Sequence, residues 1–456
     1  MMMKTNAQLD ITSYIHPQSN LSAQENSGPM IMTKGEGVYV FDDQGNKYLD
    51  SVAGLWCVTL GYNNQALKDA ATQQMDQLPF FQTFANKSNN PTIELAAKLL
   101  ELAPVPMSKV TFQNSGSEAV DTAIKLVWYY QNARGKNAKK KIISRHGSYH
   151  GTTVAAASLT GLPTMHSQFD LPIEGIIHTD NPNYYRFSND GDTEEEFASR
   201  CIENLEKQIL QEGPETIAAF FAEPVMGTGG VIVPPKTYFE KLQLVLEKYD
   251  ILLIADEVIC GFGRTGENWG STTFGIKPDM ITCAKGLSSA YLPISALMVS
   301  EKIYQAMKQG SDKVGIFGHG YTYSGHPICA AVALETLNQY EVLNTLDNIK
   351  AVSPDFQNGL RQYSEHPLVG DVRGVGLMAS IELVMDKKTK KTFPPEIMIG
   401  RKVEEFAAAN GLILRALGPV LVFAPPFIIS KEEVAKIVSV VGIALDSAQE
   451  WYADNF

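Results

Sequence analysis

The chain has 456 residues, 44% of them apolar, with 38 Lys and Arg against 50 Asp and Glu. That length exceeds one ordinary compact domain, and a net charge of −12 speaks against a general nucleic-acid binder, which needs clustered cations. No apolar stretch reaches the roughly 18 residues of a membrane span, the first residues lack an apolar signal core, and five scattered cysteines without C-x-x-C spacing indicate neither a disulfide framework nor a zinc site. A reducing cytoplasm is the expected compartment.

In chain order, residues 1–30 are polar and aperiodic and read as an arm. Residues 38–50 carry two alternating runs around Asp43-Gln44-Gly45-Asn46, a β-hairpin pattern. From about 90 to 330, short apolar runs alternate with longer helical stretches. Strands are expected at 109–113, 141–144, 218–222, 251–255, 280–283 and 294–299, and helices at 118–132 and 238–249. This alternation predicts an α/β domain with a mostly parallel sheet. The basic run Lys139-Lys140-Lys141 is expected at a solvated helix end or loop. Beyond about 335, long helices surround the strand-like pieces 376–383 and 420–423, the pattern of an α+β domain.

Several segments carry ionisable or ligand-binding groups. Asn114-Ser115-Gly116-Ser117-Glu118 follows a strand and opens a helix; Ser115 and Glu118 have capping-box spacing, and small residues at a helix start suit an anion. The same pattern serves a capped helix with no ligand. Tyr149-His150-Gly151 offers an aromatic face, equally a packing residue. His146 and His150 lack the intervening Glu of a zinc-protease motif, so no metal site is expected. Glu223 ends an apolar run at a sheet edge, where an acid serves a ligand or only solvent. Asp256 ends Leu252-Leu253-Ile254-Ala255; a buried Asp needs a positive partner, either a protonated pyridine nitrogen or a structural cation. Lys285 ends a run of Ile, Thr, Cys and Ala, where desolvation would make its amine nucleophilic. Gly261-Phe262-Gly263-Arg264-Thr265-Gly266 matches G-x-G-x-x-G, but no helix start follows it, and it reads as a glycine loop. Arg415, among aliphatic residues, requires a planar anion from a substrate or from an internal acid. A lysine amine paired with an acid for a pyridinium nitrogen is what pyridoxal phosphate requires.

Taken in this order and spacing, residues 114–118, 149–151, 221–230, 256–266, Lys285 and Tyr321-Thr322-Tyr323-Ser324-Gly325-His326-Pro327 resemble the class III (subgroup II) pyridoxal-phosphate aminotransferases, most closely the ω-amino acid or amine:pyruvate branch. The resemblance implies fold type I: a large domain (76–335) with a helix-sandwiched, mostly parallel sheet, and a smaller α+β domain from both chain ends (1–75, including the arm, and 336–456). It implies that Lys285 holds the cofactor covalently, that Asp256 pairs with the ring nitrogen and that Glu223 helps orient it. Tyr149 and Val258 would sandwich the ring, with His150 beside it, and Ser115, Gly116 and Ser117 would bind the phosphate with Thr322 of a second subunit. Leu55, Trp56, Phe84 and Tyr149 would line the substrate pocket, and Arg415 would bind a carboxylate. Thr228 stands where ornithine- and GABA-type relatives carry a gating Glu, which fits the pyruvate-dependent branch. The expected partners are an amine donor and a keto acid, with no nucleic acid or membrane, and the expected assembly is a homodimer with shared active sites or a tetramer. A decarboxylase, racemase or aminomutase of the same fold is the alternative activity.

Overall fold

A computed structural model describes residues 4–456. Its largest sheet has seven strands, in spatial order Lys109–Gln113, Ser295–Val299, Met280–Cys283, Leu252–Asp256, Ile217–Ala222, Lys141–Arg145 and Ile176–Thr179. Four neighbouring pairs are parallel, and Ser295–Val299 runs antiparallel to both of its neighbours. Ile217–Ala222, Leu252–Asp256 and Met280–Cys283 are buried at every residue, because helices cover both faces. Alternate side chains serve the two faces. Ile142, Phe221 and Ile254 pack with Val120, Ile124 and Val127 of helix Gly116–Ala133 on one side. Ile143, Phe220 and Leu253 pack on the other with Phe197 and Leu205 of helix Glu194–Glu212 and Leu242 of helix Tyr238–Lys248. The expected α/β sheet is thus present. Its unforeseen edge strand, Ile176–Thr179, is only four residues long and half-buried in the middle, so it leaves no unbroken apolar run.

The two chain ends meet in a second sheet. Tyr39–Asp42 and Lys47–Asp50 form the expected hairpin, its turn held by Asp42 Oδ1, which accepts the N–H groups of Gln44 and Asn46 at 3.0 and 2.8 Å. Met32–Glu36 pairs with the outer strand, and Leu412–Ile413 adds in parallel beside Lys47–Asp50. A third, antiparallel sheet joins Val369–Val375, Met378–Leu383, Val420–Phe423 and Arg415–Leu417. Its Ile381 and Phe423 share one buried cluster with Phe356, Val403 and Val441 of the C-terminal helices.

One local expectation fails, and one segment holds structure that its polar pattern did not announce. Lys139 is not solvated: it is 4% exposed, and its Nζ donates to the carbonyls of Tyr249 and Asp250 at 2.9 and 2.7 Å, just beyond helix Tyr238–Lys248. Carbonyls at a helix end lack intrahelical donors, and a cation satisfies them. The arm also contains two short helices, Asn6–Ser13 and Leu21–Ser27, that bury no residue. The side chains of Thr5 and Asn20 cap their starts, so capping stands in for an apolar period.

Candidate active site

Three strand ends converge on one cavity. Glu223 follows Ile217–Ala222, Asp256 is the last residue of Leu252–Asp256, and Lys285 lies just past Met280–Cys283. These strands are parallel neighbours, with Ala222 opposite Ala255 and Asp256 opposite Thr282, so their carboxyl ends open on one side, where α/β sheets take ligands. A cavity of about 380 Å³ lies there, lined by all three residues together with Ser115, Gly116, Ser117, Tyr149, His150 and Val258.

Asp256 is 3% exposed and makes three hydrogen bonds within the chain, which leaves one of its acceptor positions open. Its Oδ2 lies 2.7 Å from His150 Nδ1, and its Oδ1 accepts Thr282 Oγ1 and the N–H of Val258, both at 3.2 Å. The partner for this buried acid within the chain is therefore His150, a bond that sequence reading did not foresee. His146 faces elsewhere, its ring stacked on His178 at 5.5 Å. Among the described residues no three His, Cys, Asp or Glu side chains are disposed to hold a metal.

Glu223 ties two loops to the sheet. Its carboxylate accepts the N–H groups of Tyr149 at 2.9 Å and Gly227 at 3.0 Å, while Arg145 Nη2 donates to its carbonyl at 2.6 Å. Burial raises the Glu223 carboxyl above its usual range. Lys285 has φ +48°, a left-handed backbone that residues with a side chain rarely adopt. Enclosure holds its amine below the usual lysine range, and no ion pair among the described residues includes it, the Asp256 carboxylate being taken by His150.

The helix start at Ser115 differs from a full capping box. Ser115 Oγ accepts the Glu118 N–H at 3.2 Å, but Glu118 reaches one residue further back, to the Asn114 N–H at 2.7 Å. Gly116 and Ser117 keep first-turn N–H groups with no intrahelical acceptor. The floor beside them is made of close approaches. A Cβ on Gly151 (φ +135°) would sit 2.4 Å from Ser117 Oγ, and one on Gly116 would sit 3.1 Å from Val258 Cγ1. Pyridoxal phosphate fits these residues: a free amine for its aldehyde, a buried acid for its ring nitrogen, and a glycine-lined helix start for its phosphate.

A second cavity of about 420 Å³ shares Tyr149 and Lys285 with the first and is also lined by Leu55, Trp56, Thr228 and Arg415. The backbone at 53–56 is irregular, with Gly54 at φ +65° and Trp56 at φ +64°; Trp56 is buried and Leu55 is turned outward. Arg415 is half-buried and enters no ion pair among the described residues; burial lowers its pKa, opposed by the charge of Glu404. Glu404 itself accepts the Ala416 N–H.

Two expected residues lie outside both cavities. Phe84 is 46% exposed and packs against Gly320, where a Cβ would sit 2.4 Å from Phe84 Cε1. Thr322 is exposed nearby. Both sit on outer loops and line neither cavity of their own chain. Residues the sequence did not announce take part instead: Gln18, Leu162, Thr164 and Met165 line the second cavity. Gln18 lies in a turn, and Leu162 caps a three-residue 3-10 helix that holds Thr164 and Met165; segments this short carry no period that says what they face.

Residues 21–445 match the family model for class-III aminotransferases. "Gamma aminobutyrate transaminase 1, mitochondrial" of Solanum lycopersicum is 49% identical over 423 residues, which cover 92% of this chain and 82% of that protein. The solved ω-transaminase of Pseudomonas jessenii in complex with PMP superposes with a TM-score of 0.98 at 49% identity, covering 99% of this chain and 100% of that one. A transaminase solved with L-Ala superposes with a TM-score of 0.92 at 50% identity, covering 93% of this chain and 100% of that one.

Proposed function

The chain belongs to the class-III aminotransferases, which use pyridoxal phosphate, and from that premise we propose that it moves an amino group from an ω-amino acid or primary amine to pyruvate. The observation that carries the site assignment is the pairing in one cavity of an unpartnered, desolvated Lys285 amine with a buried Asp256 on the adjacent parallel strand. Pyridoxal phosphate supplies there an aldehyde that condenses with amines and a ring that takes up electron density from a carbon losing its proton. Asp256 would hold positive charge at the ring nitrogen, and His150 positions Asp256. Tyr149 and Val258, which line the cavity, would hold the ring, and the N–H groups of Gly116 and Ser117 with the Ser115 turn would hold the phosphate. Glu223 fixes the Tyr149 loop. With the coenzyme bound, Lys285 Nζ would be the group placed to take a proton from the donor Cα as base and to return it as acid. Its lowered pKa keeps the amine available as a base.

Arg415 binds the keto-acid carboxylate by bidentate contact. Thr228 rather than an acid lines the cavity with it, so no carboxylate among the lining residues competes for Arg415 there. The relatives named for γ-aminobutyrate support an ω-amino acid donor, and the neighbour solved with L-Ala supports pyruvate, whose amination gives alanine. Both half-reactions use the same cavity, so the kinetics are ping-pong.

A homodimer follows from the same reading. Phe80, Phe81, Phe84 and Tyr323 are exposed together with Thr322, outside this chain's own cavities, and a second copy would cover them and receive Thr322 at its phosphate site. A reducing cytoplasm is supported by five free cysteines. No helix among the described residues is long and apolar enough to cross a membrane.

The test is a matrix of amine donors against keto acids, followed by L-alanine formation and coenzyme absorbance. Donor-dependent bleaching reversed by pyruvate is expected. CO2 release, or racemisation without a keto acid, would replace amino transfer by a different reaction of the same coenzyme.

A further inference from the structure

The N-terminal arm brings a polar side chain to the mouth of the substrate cavity. Asp10, in helix Asn6–Ser13, accepts from Gln24 Nε2 at 3.0 Å and bonds His16 Nε2 at 2.9 Å, which ties the two arm helices together across residues 14–20. Asn20 caps the second helix, and Ser19 Oγ donates to the Pro17 carbonyl at 3.2 Å. This braced turn holds Gln18 in a left-handed conformation, φ +53°, a backbone cost of the kind found where a side chain has a task. Gln18 lines the cavity that contains Arg415 and Thr228. Among the described residues its carboxamide makes a single hydrogen bond, Nε2 to Met165 Sδ at 3.4 Å. A thioether is a weak acceptor, so a carboxylate in the cavity would displace it. An apolar amine would gain nothing from the amide.

We propose that Gln18 is a specificity-determining residue: its carboxamide leaves Met165 and donates to the carboxylate held by Arg415, favouring short ω-amino acids over apolar amines. This rests on the amino-transfer reading above. The arm thus supplies a neutral second donor to a carboxylate whose charge Arg415 balances.

The experiment follows the first half-reaction of the holoenzyme with amine alone, by stopped-flow absorbance. For Gln18→Met, which keeps length and loses the donor, the apparent Kd for 4-aminobutyrate rises about tenfold, the loss of one hydrogen bond to a charged group. Its limiting rate stays within about twofold, as does the Kd for 1-phenylethylamine. Calorimetry with unreactive butyrate shows the same weakening. Gln18→Glu weakens 4-aminobutyrate further, by like-charge repulsion, and tightens 1,5-diaminopentane. Equal changes for the two donor types, or unchanged Kd values in both variants, would overturn the assignment of Gln18. A holoenzyme that answers no amine with an absorbance change would overturn amino transfer itself, and this inference with it.

Discussion

The two adjoining cavities are built on different principles. The one that holds Asp256, Glu223 and Lys285 is made from the ends of parallel strands buried at every residue, so its groups are fixed by the same packing that makes the core. The one that holds Arg415 is assembled from an arm turn, a kinked segment at 53–56, a single 3-10 turn of helix at 163–165 with its cap, and a short edge strand. Rigid strand ends suit chemistry common to every substrate, and loops suit discrimination among substrates. Substitutions in the first cavity should therefore lower turnover for all substrates alike, and those in the second should shift KM for some.

The largest effect is expected for Lys285→Ala, which should lower L-alanine formation about 10³-fold for every donor and abolish borohydride fixation of the coenzyme to the chain. Normal turnover in that variant would remove the first cavity from the chemistry. Asp256→Asn should cost about 10²-fold in kcat, again regardless of donor. His150→Ala, which strips Asp256 of its 2.7 Å partner, should cost about tenfold and loosen the coenzyme in dialysis. Arg415→Leu sharpens the contrast: KM for pyruvate should rise about 10- to 100-fold while single-turnover bleaching by 1-phenylethylamine changes less than about twofold. Equal losses for both would show that the two cavities act as one.

The smallest effect on turnover concerns Glu257, the neighbour of Asp256. Burial raises its pKa to about 7, against hydrogen bonds from Ser271 and Gly270. The folded pKa lies above the usual 4.5, so the folded state holds an extra proton. That stabilisation is complete below about pH 4.5 and is lost as pH rises through about 7. Glu257→Gln cannot titrate, and the urea midpoint of the wild type should fall relative to the variant between pH 5 and 8. The relative change should be up to about 3 kcal/mol. Parallel pH profiles would place the proton elsewhere.

What was legible in the sequence follows the same division. Strands covered on both faces leave unbroken apolar runs, and an ionisable residue ending such a run is visible, as with Asp256 and Lys285. The acid's partner was not: His150 lies 106 residues away and meets it only in the folded sheet. Lys139 read as solvated because its neighbours are cationic, whereas helix-end carbonyls bury it. Gln18 and Met165 carry no motif, and Phe84 and Thr322, named by the family resemblance, line neither of this chain's own cavities.

The strand pairing between the two chain ends bears on how the protein is made. Leu412 lies against Leu49 with both side chains fully buried, and Ser51 Oγ donates to the Ile413 carbonyl across 362 residues. On the ribosome, the hairpin emerges long before the strand that seals its edge. Until then Lys47–Asp50 offers free backbone groups to any neighbouring nascent chain. Premature stops ahead of Gly411 should thus yield sticky products rather than smaller working enzymes.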